Sequence, residues 1–179
     1  RFVNETGDAI RADRANVAGT VLIRGGAEIR GTASFVGASM KSGFQWMDLN
    51  CPEAATLDLR LAKLGPIQFG DARSWPSQGR LNLHGLVYEE ITELPWLDWK
   101  NRVEWLRRQP EEPFSPQPYE QLAAVLRRQG HERDARRILI EKEKDRARLT
   151  VRWYARPWNL FLRLTVAYGH EPLRAGLWM

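Results

Sequence analysis

Apolar and polar residues alternate along much of the first seventy positions, and small residues punctuate the alternation. Gly19-Thr-Val21-Leu-Ile23, Gly31-Thr-Ala33-Ser-Phe35, Ser42-Gly-Phe44-Gln-Trp46 and Gly65-Pro-Ile67-Gln-Phe69 all read small–x–apolar–x–apolar. Val17, Ile29 and Met40 stand two residues ahead of the first three small residues. A period of two predicts strands with one inward row of side chains. Short strands at regular spacing, joined by small-residue turns, predict a stack of β coils. Val21, Ile23, Phe35, Phe44, Trp46, Ile67 and Phe69 form the expected inward row. Burying each such side chain contributes about 1.5–3 kcal/mol. Asn50-Cys-Pro-Glu53 is expected as a loop that interrupts the ladder, and Leu57-Asp-Leu-Arg-Leu61 resumes it. Residues 70–79 read as a long turn, and Leu81 to Tyr88 as a last strand or two.

The periodicity changes near Leu94-Pro95. Trp96, Trp99, Val103 and Leu106 fall at helical spacing, and Pro110 ends that stripe. Residues 111–118 form a proline-rich bridge of extended character. Tyr119, Leu122, Ala123 and Leu126 mark one face of a helix, with Gly130 as its natural terminator. Ala135, Ile138, Leu139 and Lys142 mark a second helix, so the pair forms a hairpin like a single tetratricopeptide-type unit. One such unit cannot bury its own face and is expected to lean on the β part or on the first helix. Residues 150–179 interleave arginine with aromatic residues and then run apolar. The fold class expected is α+β: a short right-handed parallel β-helix over 1–94, a helical region over 95–149, and a membrane-proximal helix within an aromatic, basic segment over 150–179.

Charge separates the two halves. Residues 1–95 carry 10 Lys+Arg against 11 Asp+Glu, about −1, and residues 96–179 carry 17 against 11, about +6. Any partner surface for acidic headgroups, nucleic acid or an acidic protein is therefore expected on the C-terminal side. The single cysteine, Cys51, excludes an intrachain disulfide and points to a reducing compartment. No run of about 18 apolar residues is present, so no segment reads as a membrane span.

Several stretches carry a resemblance. They are Arg80-Leu-Asn-Leu-His-Gly-Leu-Val-Tyr88, Trp105-Leu-Arg-Arg108 and Pro116-Gln-Pro-Tyr-Glu-Gln-Leu-Ala-Ala-Val-Leu-Arg-Arg128. Gly130-His-Glu-Arg-Asp-Ala-Arg-Arg-Ile-Leu-Ile140 and Leu162-Arg-Leu-Thr-Val-Ala-Tyr-Gly169 continue it. The chain resembles a bacterial family, common in actinobacteria, of pentapeptide-like or bactofilin-like β-helix proteins, often labelled "membrane-associated oxidoreductase". In that family the Tyr-Gly segment is followed by membrane spans. The resemblance therefore implies a membrane-proximal domain at the cytoplasmic side of the bacterial inner membrane, cut from its anchor near Met179. The oxidoreductase label gains no support from the residues, which include no GxGxxG and no CxxC. No cofactor is expected.

Candidate chemistry is sparse. A Cys51–His84 pair would need an electropositive niche and a base in reach. His84, His131 and His170 share no metal-ligand spacing, and Asp71, Glu89, Glu90 and Glu93 form no marked carboxylate pair. Arg127, Arg128, Arg133, Arg136, Arg137 and Arg148 are interleaved with acids, which disfavours a nucleic-acid stripe. A protein-interaction surface is expected at Tyr119, Arg127, Arg128, Arg136 and Arg137. A membrane interface is expected at Arg152, Trp153, Tyr154, Arg156, Trp158, Arg163, Tyr168 and Trp178, where aromatic rings and snorkelling arginines suit the headgroup level. The competing reading makes these aromatics a packed cap on the β stack. The function expected is a non-catalytic scaffold or interaction module at a membrane. An enzyme with a pocket between solenoid and helices, and a soluble adaptor, are the alternatives.

Overall fold

The computed structural model describes residues 1–50, 52–92 and 98–167; at residue 5 and along 150–167 it describes the backbone alone. The N-terminal half is a parallel β-solenoid of four coils. The first coil holds β1 (Phe2–Arg11), β2 (Asn16–Val17) and β3 (Val21–Ile23), and the second holds β4 (Ala27–Ser34), β5 (Ser39–Met40) and β6 (Phe44–Trp46). The third holds β7 (Leu49–Asn50), β8 (Ala55–Asp58) and β9 (Lys63–Phe69), and the fourth β10 (Leu81–Asn82) and β11 (Val87–Ile91). All pairings are parallel. One face runs β1-β4-β8-β10, and on the other β9 takes β5, β6 and β11.

The register identifies the true repeat. Val21, Phe44 and Ile67 stack at intervals of 23 residues, and Ala33, Leu57 and Leu81 at intervals of 24. The Gly31 member of the sequence ladder therefore lies on the opposite face from the other three. The same small–x–apolar–x–apolar pattern occurs on both faces, so the ladder counts half-coils. Ile23, Phe35, Phe44, Trp46, Ile67 and Phe69 are buried as expected, and Val21, in the first coil, is half-buried.

Each coil turns one corner identically. The third residue of a four-residue turn has positive φ at Arg14 (57°), Gly37 (68°), Leu61 (59°) and Gly85 (74°). The N–H groups of Ala15, Ala38, Ala62 and Leu86 close these turns on the carbonyls of Ala12, Phe35, Leu59 and Leu83. This is a type II pattern, for which only two corners use glycine. Leu61 lies across the next corner, where a Cβ on Gly85 would sit 2.5 Å from Leu61 Cδ2. A bare position at 85 makes room for the strained leucine at 61.

The segment after β9 is folded, not loose. Residues Ala72–Ser74 form a 3-10 turn capped by Asp71, and Trp75 is buried behind it. The Trp75 indole N–H donates to the Gly70 carbonyl at 2.7 Å, and that of Trp46 to the Ser74 carbonyl at 2.8 Å.

Three helices follow. α1 (Trp99–Arg107) is capped by Asp98, whose carboxylate accepts from the Asn101 N–H. Its Trp105 enters the solenoid end. Phe35, Phe44, Phe69 and Trp105 form one aromatic file with successive centroid distances of 5.5, 6.3 and 4.4 Å. α2 (Gln117–Arg128) buries Tyr119, Leu122, Ala123, Val125 and Leu126. It ends in a Schellman motif: Gly130 has φ 86°, the His131 N–H reaches the Leu126 carbonyl, and the Gly130 N–H the Arg127 carbonyl. α3 (Glu132–Ala167) is one helix of 36 residues, about 54 Å long at 1.5 Å per residue. The expected second hairpin helix and the membrane-proximal helix are thus continuous. Pro157 does not interrupt the helix, although it deprives the Trp153 carbonyl of its usual donor.

Candidate functional site

The far end of the solenoid is built as a cap. In the first three coils, the corner N–H groups of Arg14, Gly37 and Leu61 donate to the next coil, at the carbonyls of Val36, Arg60 and His84. The matching carbonyls of Ala15, Ala38 and Ala62 accept from Ser39, Lys63 and Val87. At the fourth coil both roles pass to one side chain. Gln117 Oε1 accepts from the Gly85 N–H at 3.0 Å, and its Nε2 donates to the Leu86 carbonyl at 2.9 Å. A primary amide carries the same donor and acceptor as a peptide group.

The substitution continues along β11. Gln121 Nε2 donates to the Tyr88 carbonyl at 2.8 Å, Arg128 Nη2 to the Glu89 carbonyl at 3.1 Å, and Gln129 Nε2 to the Ile91 carbonyl at 3.0 Å. The spacings agree. Twelve helical residues from Gln117 to Gln129 rise about 18 Å, and five strand residues from Leu86 to Ile91 span about 17 Å. α2 therefore presents polar groups at the places where a fifth coil would present its backbone, and it removes an aggregation-prone edge. Tyr88, beneath this cap, is fully enclosed, and burial pushes its phenol up.

A second cluster fixes the three helices to one another. Arg107 donates to both carboxylate oxygens of Asp145 at 2.9 and 3.0 Å, to Glu141 at 2.8 Å and to Glu104 at 2.9 Å. The Tyr119 hydroxyl donates to Asp145 at 3.0 Å. The Asp145 hydrogen bonds drive the Arg107 guanidinium still higher, and burial first, then Asp145, pushes the Tyr119 phenol up. Bidentate pairing of this kind sets orientation as well as energy.

Two clefts flank the proline-rich bridge. One, of about 220 Å³, lies beside Arg107, Tyr119 and Asp145. The other, of about 500 Å³, is bounded by Arg60, Asn82, His84, Glu112, Phe114 and Ser115. His84 Nδ1 stands 3.1 Å from Ser115 Oγ at its rim, with His84 exposed. A serine–histidine pair needs a third group to fix the ring. Among the described residues His84 makes no further side-chain hydrogen bond. Arg60 is held by Asp58 through three contacts of 2.7–3.0 Å, and hydrogen bonding to Asp58 raises its guanidinium.

The expected interaction residues are largely engaged within the chain. Tyr119 is buried, Arg128 caps β11, Arg127 and Arg136 pair with Glu132, and Arg137 pairs with Asp134 and lies 5.3 Å over the Trp99 ring. Asp71 pairs with Arg73, Glu89 and Glu90 are exposed on β11, and His131 stands at the α2–α3 turn. Cys51, Glu93, Trp96, Tyr168, His170 and Trp178 lie outside the described residues. No metal-binding group of His, Cys, Asp or Glu occurs among the described residues. Sequence reasoning missed the glutamines. Their signal was the recurrence of glutamine at Gln117, Gln121 and Gln129, in and at the end of the helix that follows the proline-rich bridge.

The remaining interface residues, Arg152, Trp153, Tyr154, Arg156, Trp158 and Arg163, all fall within α3. The helical repeat puts Arg152, Arg156, Asn159 and Arg163 at i, i+4, i+7 and i+11, a single row. At 100° per residue the row covers an arc of about 60°, and it includes every charged residue from 150 to 167. No helix among the described residues is long and apolar enough to cross a membrane. No family model, curated protein or solved structure matches the chain.

Proposed function

We propose that the chain is a non-catalytic scaffold or protein-interaction module held at the cytoplasmic face of a bacterial membrane. The observation that carries this reading is the continuity of α3. One helix runs from the Arg107 cluster, where it is fixed to the solenoid cap, into the arginine and aromatic segment. A rigid filled rod is thereby joined to a basic, aromatic element without a flexible link. Arginine and tryptophan suit the interface, and basic residues favour anionic lipid. An arginine costs roughly 2.5–3.5 kcal/mol at the bilayer centre and less toward its edges, so three of them spread over this segment oppose spanning by several kcal/mol. Surface attachment is the favoured mode, and nucleic acid is disfavoured.

Flotation with vesicles tests the reading. The protein should float with vesicles containing phosphatidylglycerol, float poorly with neutral ones, and lose binding when Arg152, Arg156 and Arg163 are changed to Glu. Protein that stays in solution throughout would instead favour the soluble adaptor. A second reading, an enzyme using the cleft between coil and bridge, rests on the His84–Ser115 contact. It requires that Ser115→Ala abolish a measurable turnover.

A further inference from the structure

The arginine row has a direction as well as a spacing. Ile138, Asp145, Arg152 and Asn159 stand seven residues apart, so they follow one another along the same side of α3. Ile138 is fully buried, and Asp145 is 6% exposed and bonded to both Arg107 of α1 and Tyr119 of α2. The side of α3 that faces the body of the protein is therefore the side on which the row continues. Arg148, between them, pairs with Asp145 at 3.8 Å. Around the rest of the helix, positions 150–167 hold only uncharged residues, including Trp153, Tyr154, Trp158, Phe161, three leucines and two valines.

A helix with one narrow charged row has one way to keep every charge at the same depth, which is to lie parallel to the surface. A row along the axis then faces the headgroups over its whole length. A transverse helix would instead distribute the same three arginines across the bilayer. Because the row lies on the side of the body, the in-plane pose also leaves solenoid and cap on the water side.

We infer that α3 beyond Leu149 lies in the plane of the lipid headgroups, with Arg152, Arg156 and Arg163 engaging phosphates of anionic lipid and the opposite side in the acyl region. This rests on the membrane reading above and adds the orientation and the ligand group. Arginine binds phosphate through its planar fork, and its stem can extend from an apolar depth.

Spin labels placed on the full chain, in a Cys51→Ser background, test it. Thr150→Cys and Phe161→Cys lie on the side opposite the row, about 16 Å apart along the axis. Asn159→Cys lies in the row. With vesicles of phosphatidylcholine and phosphatidylglycerol, oxygen and nickel accessibility should report equal depth at 150 and 161. The label at 159 should be shallower by most of a helix diameter, about 10 Å. Flotation together with a depth that changes steadily from 150 to 161 would overturn the in-plane pose and leave the membrane reading standing. Absence of flotation in all three labelled proteins would overturn both. Immobilised labels without vesicles, with a doubled mass in solution, would assign the segment to a protein partner and refute the inference.

Discussion

The last and the first coil of the solenoid differ in how they are covered. At the fourth coil, β11 meets α2, and its backbone is satisfied by Gln117, Gln121, Arg128 and Gln129. Trp105 fills the core above Phe69. At the first coil, β1 stands at the edge of its sheet: Phe2, paired with the buried Ile29, is half exposed, and Val21, paired with the buried Phe44, is only half-buried. The same alternating pattern thus gives a dry core only where another layer covers it. Burial in a solenoid belongs to the stack, and each coil depends on its neighbours.

The largest effect expected from breaking this contrast is at Trp105. Trp105→Ala removes the end of the aromatic file and should cost about 3–5 kcal/mol, as for other buried tryptophans. Phe2→Ala, at a half-exposed position in the first coil, should cost less than about 1 kcal/mol, since surface changes rarely exceed a few tenths. Urea unfolding of the two variants measures the difference. Equal losses would mean that the helices do not close the core.

The corners sharpen the comparison at smaller scale. Gly85→Ala places a Cβ in a left-handed position and against Leu61, and should destabilise by roughly 1–3 kcal/mol. Leu61→Gly relieves the strain at 61 and opens that space, so it should recover part of the loss in the double variant. Simple additivity in thermal unfolding would show that the two corners do not touch.

Much of the fold was legible because its signals are local. Period-two rows placed Phe44, Trp46, Ile67 and Phe69 inside, and Gly130 marked the end of α2 through its positive φ. The length of a coil was not legible, because both faces repeat one motif and only pairing distinguishes 12 from 23 residues. The strained corners at Arg14 and Leu61 carry no glycine, and nothing in sequence betrays their backbone. The continuity of α3 was not legible because the composition changes near residue 150, from mixed charges to arginine interleaved with aromatic residues, while the helix runs on through that change. The cap was hidden for a different reason. A glutamine on a helix reads as solvated until the strand beside it is known to have unpaired carbonyls. Arg128, expected on an interaction surface, also donates to that strand edge, at the Glu89 carbonyl.

Amide hydrogen exchange at Gly85 addresses the cap at single-residue level. Its N–H occupies the place that Leu61 holds one coil earlier, with Gln117 Oε1 as acceptor in place of a backbone carbonyl. Gly85 should be protected to a degree comparable with Leu61. In Gln117→Leu that protection should fall selectively, with a stability loss of about 1–3 kcal/mol for the orphaned backbone groups. A Gly85 amide that exchanges at the rate of an open loop in the unaltered protein would contradict the glutamine-for-coil substitution.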